Sequence, residues 1–332
     1  MAIEHTRLGR TGLKVSRLCL GTMTFGLQID EPAARSVLDR AATGGITFID
    51  TADVYPLGGA LDLTGRTEEI LGRWLKGKRH QFVLATKCFG RTGPNAWEVG
   101  NNRRHILDAI DASLRRLGTD YIDLYQLHQD DPDTPIDETL AALDQLVHQG
   151  KVRYIGCSNF LAYRLARALG RSETLGLARF DSAQPRYNLL FRQFERDLFP
   201  LCLEEGIGVI PYNPLAGGML SGKHDRDKPA TEGTRFTIPN AGTMYQERYF
   251  HEREFDAVDA FLKIAEEAGL KPATLAIAWV MRQPAVTAPI IGASRPEQLD
   301  DTLAAVEVDL DDDLLANLDE LTRVFRQGDA AR

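Results

Sequence analysis

Four side chains of unlike chemistry stand at or near the ends of apolar runs. Asp50 closes "ITFID", Lys87 closes "FVLATK", His128 closes "YIDLYQLH", and Tyr55 follows Asp50 by five residues in "FIDTADVY". A carboxylate that ends an apolar strand is expensive to bury unless something pairs with it, and a lysine ending the next strand is such a partner. Together with the phenol and the imidazole, the pair would make a proton-transfer device. Taken singly, each has an ordinary explanation: a helix-capping aspartate, a snorkelling lysine, a satisfied structural histidine, a loop tyrosine. Their placement on successive strand ends favours the joint reading. Strand alternation puts Asp50 on the face of Ile46 and Phe48, and Lys87 on that of Val83 and Ala85.

The elements that must hold these groups alternate throughout the chain. "VSRLCLG", "ITFID", "FVLATK", "YIDLYQLH", "VRYIGCS", "RFDSAQP", "GVIPYNP" and "TAPIIGA" read as strands. Between them run helical segments such as "EPAARSVLDRAATGG", with Pro near its start and Gly at its end, and "NNRRHILDAIDASLRRLG", where Ile106, Ile110, Leu114 and Leu117 recur at helical spacing. Thr134 is placed to cap the helix of "TPIDETLAALDQLVHQG", and "NFLAYRLARALG" reads as a helix ending at Gly170. Eight strand–helix units without a linker predict one domain over 1–332, a (β/α)8 TIM barrel. "RLGRTGLKVSRL" reads as an N-terminal β-hairpin turning at Arg10–Gly12 and closing the barrel floor. Extended loops are expected at the carboxyl ends of the strands, and residues 223–250 form a polar insert without clear periodicity. A doubly wound sheet is the alternative, but the GxGxxG of its dinucleotide version occurs nowhere.

Composition narrows the function classes. The 332 residues are 43% hydrophobic and carry a formal net charge of −8, with a pI near 5.5. That balance argues against a general nucleic-acid or anionic-membrane surface, so any anionic ligand must meet a local cluster of Lys and Arg. Cys19, Cys88, Cys157 and Cys202 lie far apart without a CxxC, signalling neither a metal site nor a disulfide framework. Neither a signal segment nor a membrane span is apparent, which predicts a cytoplasmic protein with reduced thiols.

With these residues in view, the chain resembles the aldo-keto reductase family. "FIDTADVY", "VLATK" and "DLYQLH" are similar to its catalytic segments in order and approximate spacing. The likeness continues through "LGTMTFG", "GKVRYIGCSNF", "AQPRYN", "IPYNPLAGGMLSGK" and "IIGASRPEQL", and leans toward the bacterial and potassium-channel β-subunit-like branch. The resemblance implies an NADPH-dependent reductase acting on a small aldehyde or ketone, with NADH a less favoured donor. Tyr55 would be the proton donor, Lys87 would lower its pKa, Asp50 would hold Lys87, and His128 would hydrogen-bond the substrate oxygen.

Cofactor roles follow from the same resemblance. Ser158, Asn159 and Gln184 would bind the nicotinamide carboxamide, Tyr212 would stack on the ring, and Thr22, Met23, Gln28 and Asp50 would line that end. Asn213, Pro214, Leu215, Ala216 and Gly218 would wrap the pyrophosphate, with Lys223 and Arg235 supplying charge. Gly292, Ser294, Arg295 and Gln298 match the adenosine-phosphate segment, and Arg295 beside a helix start would favour a 2′-phosphate. Asp301 and Thr302 replace the family's usual Glu-Asn, and the loop "PLGGALDLTGRT" after Tyr55 is longer than in many relatives. Specificity would come from loops near Phe25, Leu57, Phe89, Trp97, Gln129 and the insert. The rival reading within the family is a slow-turnover NADPH-binding regulatory or sensor subunit, against which the resemblance sets His128. A third reading is an unrelated barrel enzyme handling phosphates. Substrate identity and oligomeric state are written in no motif.

Overall fold

A computed structural model describes residues 3–331. An antiparallel hairpin of β1 (His5–Arg7) and β2 (Lys14–Ser16) comes first. Eight parallel strands follow: β3 (Cys19–Gly21), β4 (Phe48–Asp50), β5 (Val83–Cys88), β6 (Ile122–Leu127), β7 (Val152–Ser158), β8 (Phe180–Gln184), β9 (Gly208–Val209) and β10 (Ile290–Ile291). They pair in chain order, and β10 returns to lie beside β3. Parallel bridges from Val209 to Val286 and from Tyr212 to Ile290 join the last two strands, so the sheet curls into the expected barrel.

Eleven helices are described: α1 (Glu31–Thr43), α2 (Arg66–Leu75), α3 (Arg103–Leu117), α4 (Ile136–His148), α5 (Ala162–Leu175), α6 (Leu198–Glu205), α7 (Gly242–Tyr249), α8 (Glu252–Glu267), α9 (Pro272–Met281), α10 (Gln298–Leu303) and α11 (Asp312–Thr322). Local chemistry sets many of their ends. Asp30 accepts from the Ala33 amide at 3.0 Å to start α1, and Asn102 accepts from the His105 amide at 2.9 Å to start α3. Gly118 stops α3 at φ 63, a left-handed conformation that favours glycine.

Three local readings are corrected. Thr134 does not cap α4, because its hydroxyl donates to Asp131 at 2.7 Å instead. The helix α5 runs past Gly170 to Leu175, since nothing crowds Gly170 and a better stop, Gly176 at φ 66, lies further on. "VSRLCLG" is divided, Val15 and Ser16 belonging to the hairpin and Cys19 onward to the barrel.

Burial falls into two layers. The larger apolar cluster lies between sheet and helices; the smaller fills the barrel and includes Cys19, Phe48, Ala85, Leu124, Ile210 and Ala288. Leu8 and Val15 of the hairpin join that inner cluster, so the hairpin does plug the floor. Ile46 lies in the outer layer, not beside Phe48 as expected, because regular strand geometry begins only at Phe48. Above the apolar interior, inward positions turn polar toward the strands' carboxyl ends: Phe48 gives way to Asp50, Ala85 to Lys87, and Leu124 to Gln126. All four cysteines are free and buried. Among the described residues, no helix is long and apolar enough to cross a membrane.

Candidate active site

The parallel register sets Asp50 of β4 opposite Ala85, two residues before Lys87 on β5, so both side chains enter one polar layer. The Lys87 ammonium donates to Asp50 Oδ2 at 2.5 Å and to the Thr51 carbonyl at 2.8 Å. The other carboxylate oxygen accepts from Gln126 Nε2 at 3.1 Å and Gln184 Nε2 at 2.9 Å, and Gln184 also donates to Gln126 Oε1 at 3.2 Å. The ion pair is thus buried with its hydrogen-bonding capacity used. Sequence reasoning passed over Gln126 and directed Gln184 at a cofactor. Both amides brace Asp50.

Tyr55 lies just beyond β4, with its ring centre 5.1 Å from the Lys87 ammonium and 5.6 Å from the His128 ring, at an interplanar angle of 78°. The four residues do converge. Their titration differs from expectation in one respect: burial raises the Tyr55 pKa above its ordinary value, and the charge and hydrogen bond of Lys87 offset only part of this. Burial also disfavours the charged form of Lys87, but Asp50 and Tyr55 outweigh it and raise its pKa. Burial and then the charge of Lys87 push His128 down to about 3, leaving a neutral imidazole that can donate one N–H.

A cavity of about 480 Å³ opens over Tyr55 and His128. Thr22, Met23, Asp50, Ser158, Asn159, Gln184, Tyr212 and Asn213 line it, as do Leu57, Phe89 and Gln129 from the expected specificity loops. Tyr212 donates to Asn159 Oδ1 at 2.9 Å, and Ser158 to the Gln184 carbonyl at 2.8 Å. Phe25 is buried in the outer core instead, and Trp97 is half-exposed beneath the Arg104 guanidinium, so neither reaches the cavity. The insert contributes more than loop: its α7 supplies Met244, Tyr245 and Arg248 to the wall.

A second cavity, about 220 Å³, adjoins the first through Arg235, Ile290, Ile291 and Gly292. Gln28, Pro214, Leu215, Gly218, Lys223, Ser294, Gln298, Asp301 and Thr302 line it. Ala216 is buried beneath the loop, and Arg295 is exposed outside the lining. Gln298 Oε1 accepts from the Ser294 amide at 2.8 Å and its hydroxyl at 3.1 Å, fastening the start of α10. Burial lowers the Lys223 pKa, and the nearby charges of Arg235 and Arg295 lower it further. Three cations gathered this closely fit a ligand with several phosphate charges. A Cβ on Gly218 would come within 2.8 Å of Lys223, and one on Gly292 within 2.8 Å of Arg235, so both glycines leave room for those cations.

Residues 17–323 match the Aldo/keto reductase family, and the chain belongs to it. It is therefore an oxidoreductase of a family that uses nicotinamide dinucleotides. It is 40% identical over 331 residues to "Uncharacterized oxidoreductase YrpG" of Bacillus subtilis (strain 168), covering 96% of each chain. It is 36% identical to "Probable voltage-gated potassium channel subunit beta" of Arabidopsis thaliana, covering 92% of each. It is 34% identical to "Versiconal hemiacetal acetate reductase" of Aspergillus parasiticus, covering 96% of each.

Proposed function

We propose that this protein is an NADPH-dependent carbonyl reductase acting on a small aldehyde or ketone. The observation that carries the reading is the buried Asp50–Lys87 pair set beside Tyr55 and His128, under a cavity that adjoins a cation-rich one. Lys223, Arg235 and Arg295 would hold the phosphates, and Ser158, Asn159 and Tyr212 the nicotinamide end. When bound, the dinucleotide supplies hydride to the carbonyl carbon. The carbonyl oxygen then needs a proton, and Tyr55 provides it. With its pKa raised, Tyr55 is protonated throughout the neutral range, as a donor must be. Lys87 acts when the proton leaves, because its fixed charge stabilises the phenolate that forms. Asp50, braced by Gln126 and Gln184, keeps that charge in place. Neutral His128 donates its N–H to the substrate oxygen and polarises it. Solvent returns the proton to Tyr55.

The test is NADPH oxidation across a panel of carbonyl compounds, with NADH run in parallel. Turnover with NADPH is expected, and Tyr55→Phe is expected to abolish it while NADPH binding survives; carbonyl reduction by that variant would refute the assignment. The Arabidopsis relative's name supports a second reading, an NADPH-holding sensor subunit. Tight NADPH binding without turnover on any member of the panel would favour it. We place the protein in the cytoplasm as a single domain; as a reductase it works on small molecules, with no nucleic-acid or membrane partner.

A further inference from the structure

A second ion pair, largely buried, lies on the helix side of the sheet, in the apolar layer to which Leu71, Leu84 and Ile106 belong. Glu68 of α2 and Thr86 of β5 are both fully buried, and Thr86 Oγ1 donates to Glu68 Oε1 at 2.6 Å. Arg116 of α3 donates to the other carboxylate oxygen, from Nε at 2.8 Å and from Nη2 at 2.7 Å. Gly65 leaves room for that guanidinium, since an added Cβ there would lie 2.4 Å from Arg116. Well-packed apolar side chains would hold such a place at least as firmly as a buried ion pair. Its use is therefore sought in what it touches.

Its contacts lead to the catalytic groups. Thr86 precedes Lys87, and Glu68 follows Thr67. Beyond β4 the chain runs along β5, where the amides of Thr51 and Asp53 donate to the Ala85 and Lys87 carbonyls at 2.9 Å and 3.1 Å. Those bonds end before Tyr55 is reached. There the Tyr55 carbonyl accepts from the Thr67 amide at 3.3 Å, an amide in the first turn of α2, whose start has no side-chain cap. The Thr67 hydroxyl in turn donates to the Phe25 carbonyl at 2.7 Å. Two consecutive residues of one helical turn thus hold Tyr55 on one side and the neighbour of Lys87 on the other.

Resting on the carbonyl-reductase reading, we propose that Thr86 and Glu68 are positioning residues, which fix α2 on β5 and, through Thr67, set the reach of Tyr55 to the Lys87 ammonium.

The test is the single-turnover rate of NADPH oxidation by the preformed enzyme–NADPH complex at saturating carbonyl, using the panel compound that the natural protein reduces fastest. Only folded, loaded molecules contribute to it. Thr86→Val keeps the side chain's shape and removes the bond. It should slow that rate about ten- to a hundredfold, the scale on which misplacing a reacting group by about 1 Å acts. Its solvent deuterium isotope effect should rise, because proton delivery by Tyr55 is the event disturbed, whereas loss of folded protein would leave that ratio alone. Thr86→Ser should recover most of the rate. In the cofactor-free protein, amide hydrogen exchange over residues 55–68 should quicken in Thr86→Val. An unchanged rate in Thr86→Val overturns the proposal, as does a slower rate with the natural isotope effect and natural exchange. If Thr86→Val does not fold, Thr67→Val loosens the same turn at its Phe25 bond and is judged by the same outcomes. Reduction by the natural protein that these variants leave untouched sinks this proposal and leaves the carbonyl-reductase reading standing. No reduction of any compound by the natural protein sinks both.

Discussion

Lys87 and Asp50 test each other. Lys87→Met leaves a carboxylate buried with two amides but no cation, and breaking a buried pair in this way costs about 3–5 kcal/mol. Adding Asp50→Asn removes the stranded charge, so urea denaturation should show most of that stability restored in the double variant. Turnover should stay about 10²–10⁴-fold down in both, because the phenolate of Tyr55 has lost its cation. Recovery of turnover alongside stability would show that the pair only holds the fold. His128 gives a second check: with its pKa near 3, kcat/KM should lack an inflection near 6.5, and one that vanishes in His128→Asn would contradict the neutral imidazole. Asp53 gives a third, in stability alone. It is fully buried, and neither carboxylate oxygen has a side-chain hydrogen-bond partner. Burial and then Glu68 raise its pKa well above the carboxylate range, with Arg116, Val54 and Lys87 offsetting only part. The folded state therefore holds a proton that the unfolded chain releases near pH 3.9, and Asp53 costs stability progressively as pH rises from there toward its folded pKa. Asp53→Asn should gain on the natural protein over that range, and parallel stability–pH curves would contradict it. Asp50 was legible because a strand-ending carboxylate demands a partner. Asp53 and Gln126 were not, since an acid in a loop and an amide in a strand demand nothing until their surroundings are known.

At the scale of elements, the stretch after β9 and the helix α7 are one assembly. Asn213 has φ 65 and its Oδ1 accepts from the Gly217 amide, while its Nδ2 donates to Tyr249 Oη at 2.8 Å. Asn188 donates to the same hydroxyl at 3.0 Å and to the Asn213 carbonyl at 3.0 Å. Tyr249→Phe would strand two buried amide donors at a cost of about 1–3 kcal/mol each. The expected result is weaker NADPH binding, read by fluorescence titration, along with a lower Tm. Unchanged affinity would separate the loop from the cofactor. The loop "NPLAGG" announced itself by position, but α7 did not. Its buried residues, Gly242, Tyr245 and Tyr249, do recur at helical spacing. They are a glycine and two tyrosines flanked by Pro239 and Asn240, residues that read as loop. The insert is also tied to the loop after Tyr55, where Asn240 donates to the Gly58 carbonyl at 3.1 Å, a contact 182 positions apart that no local pattern encodes.

For the whole molecule, the alternation of strands and helices carried the architecture, because each apolar run needed helices on one side and a barrel interior on the other. Closure was less visible, since β9 and β10 are two residues each and complete the ring through single bridges. The floor is completed by the hairpin, whose Leu8 and Val15 enter the inner core while Arg10 donates its amide to the Gly206 carbonyl at 2.8 Å. Gly9 is where hairpin and barrel meet most closely: at φ 55, an added Cβ would lie 2.3 Å from the Gly206 carbonyl oxygen and 2.5 Å from the Gly208 amide. Those are backbone atoms of the barrel rim and cannot swing aside as a side chain would. Gly9→Ala must therefore lift the plug, at a cost of about 2 kcal/mol or more from strain and lost packing. The Asp50–Lys87 layer lies at the opposite end of the strands, so the effect should appear as a lower denaturation midpoint with kcat per folded molecule retained. Loss of kcat without loss of stability would mean that the floor communicates with the chemistry at the mouth, and that the barrel is not the rigid spacer its packing describes.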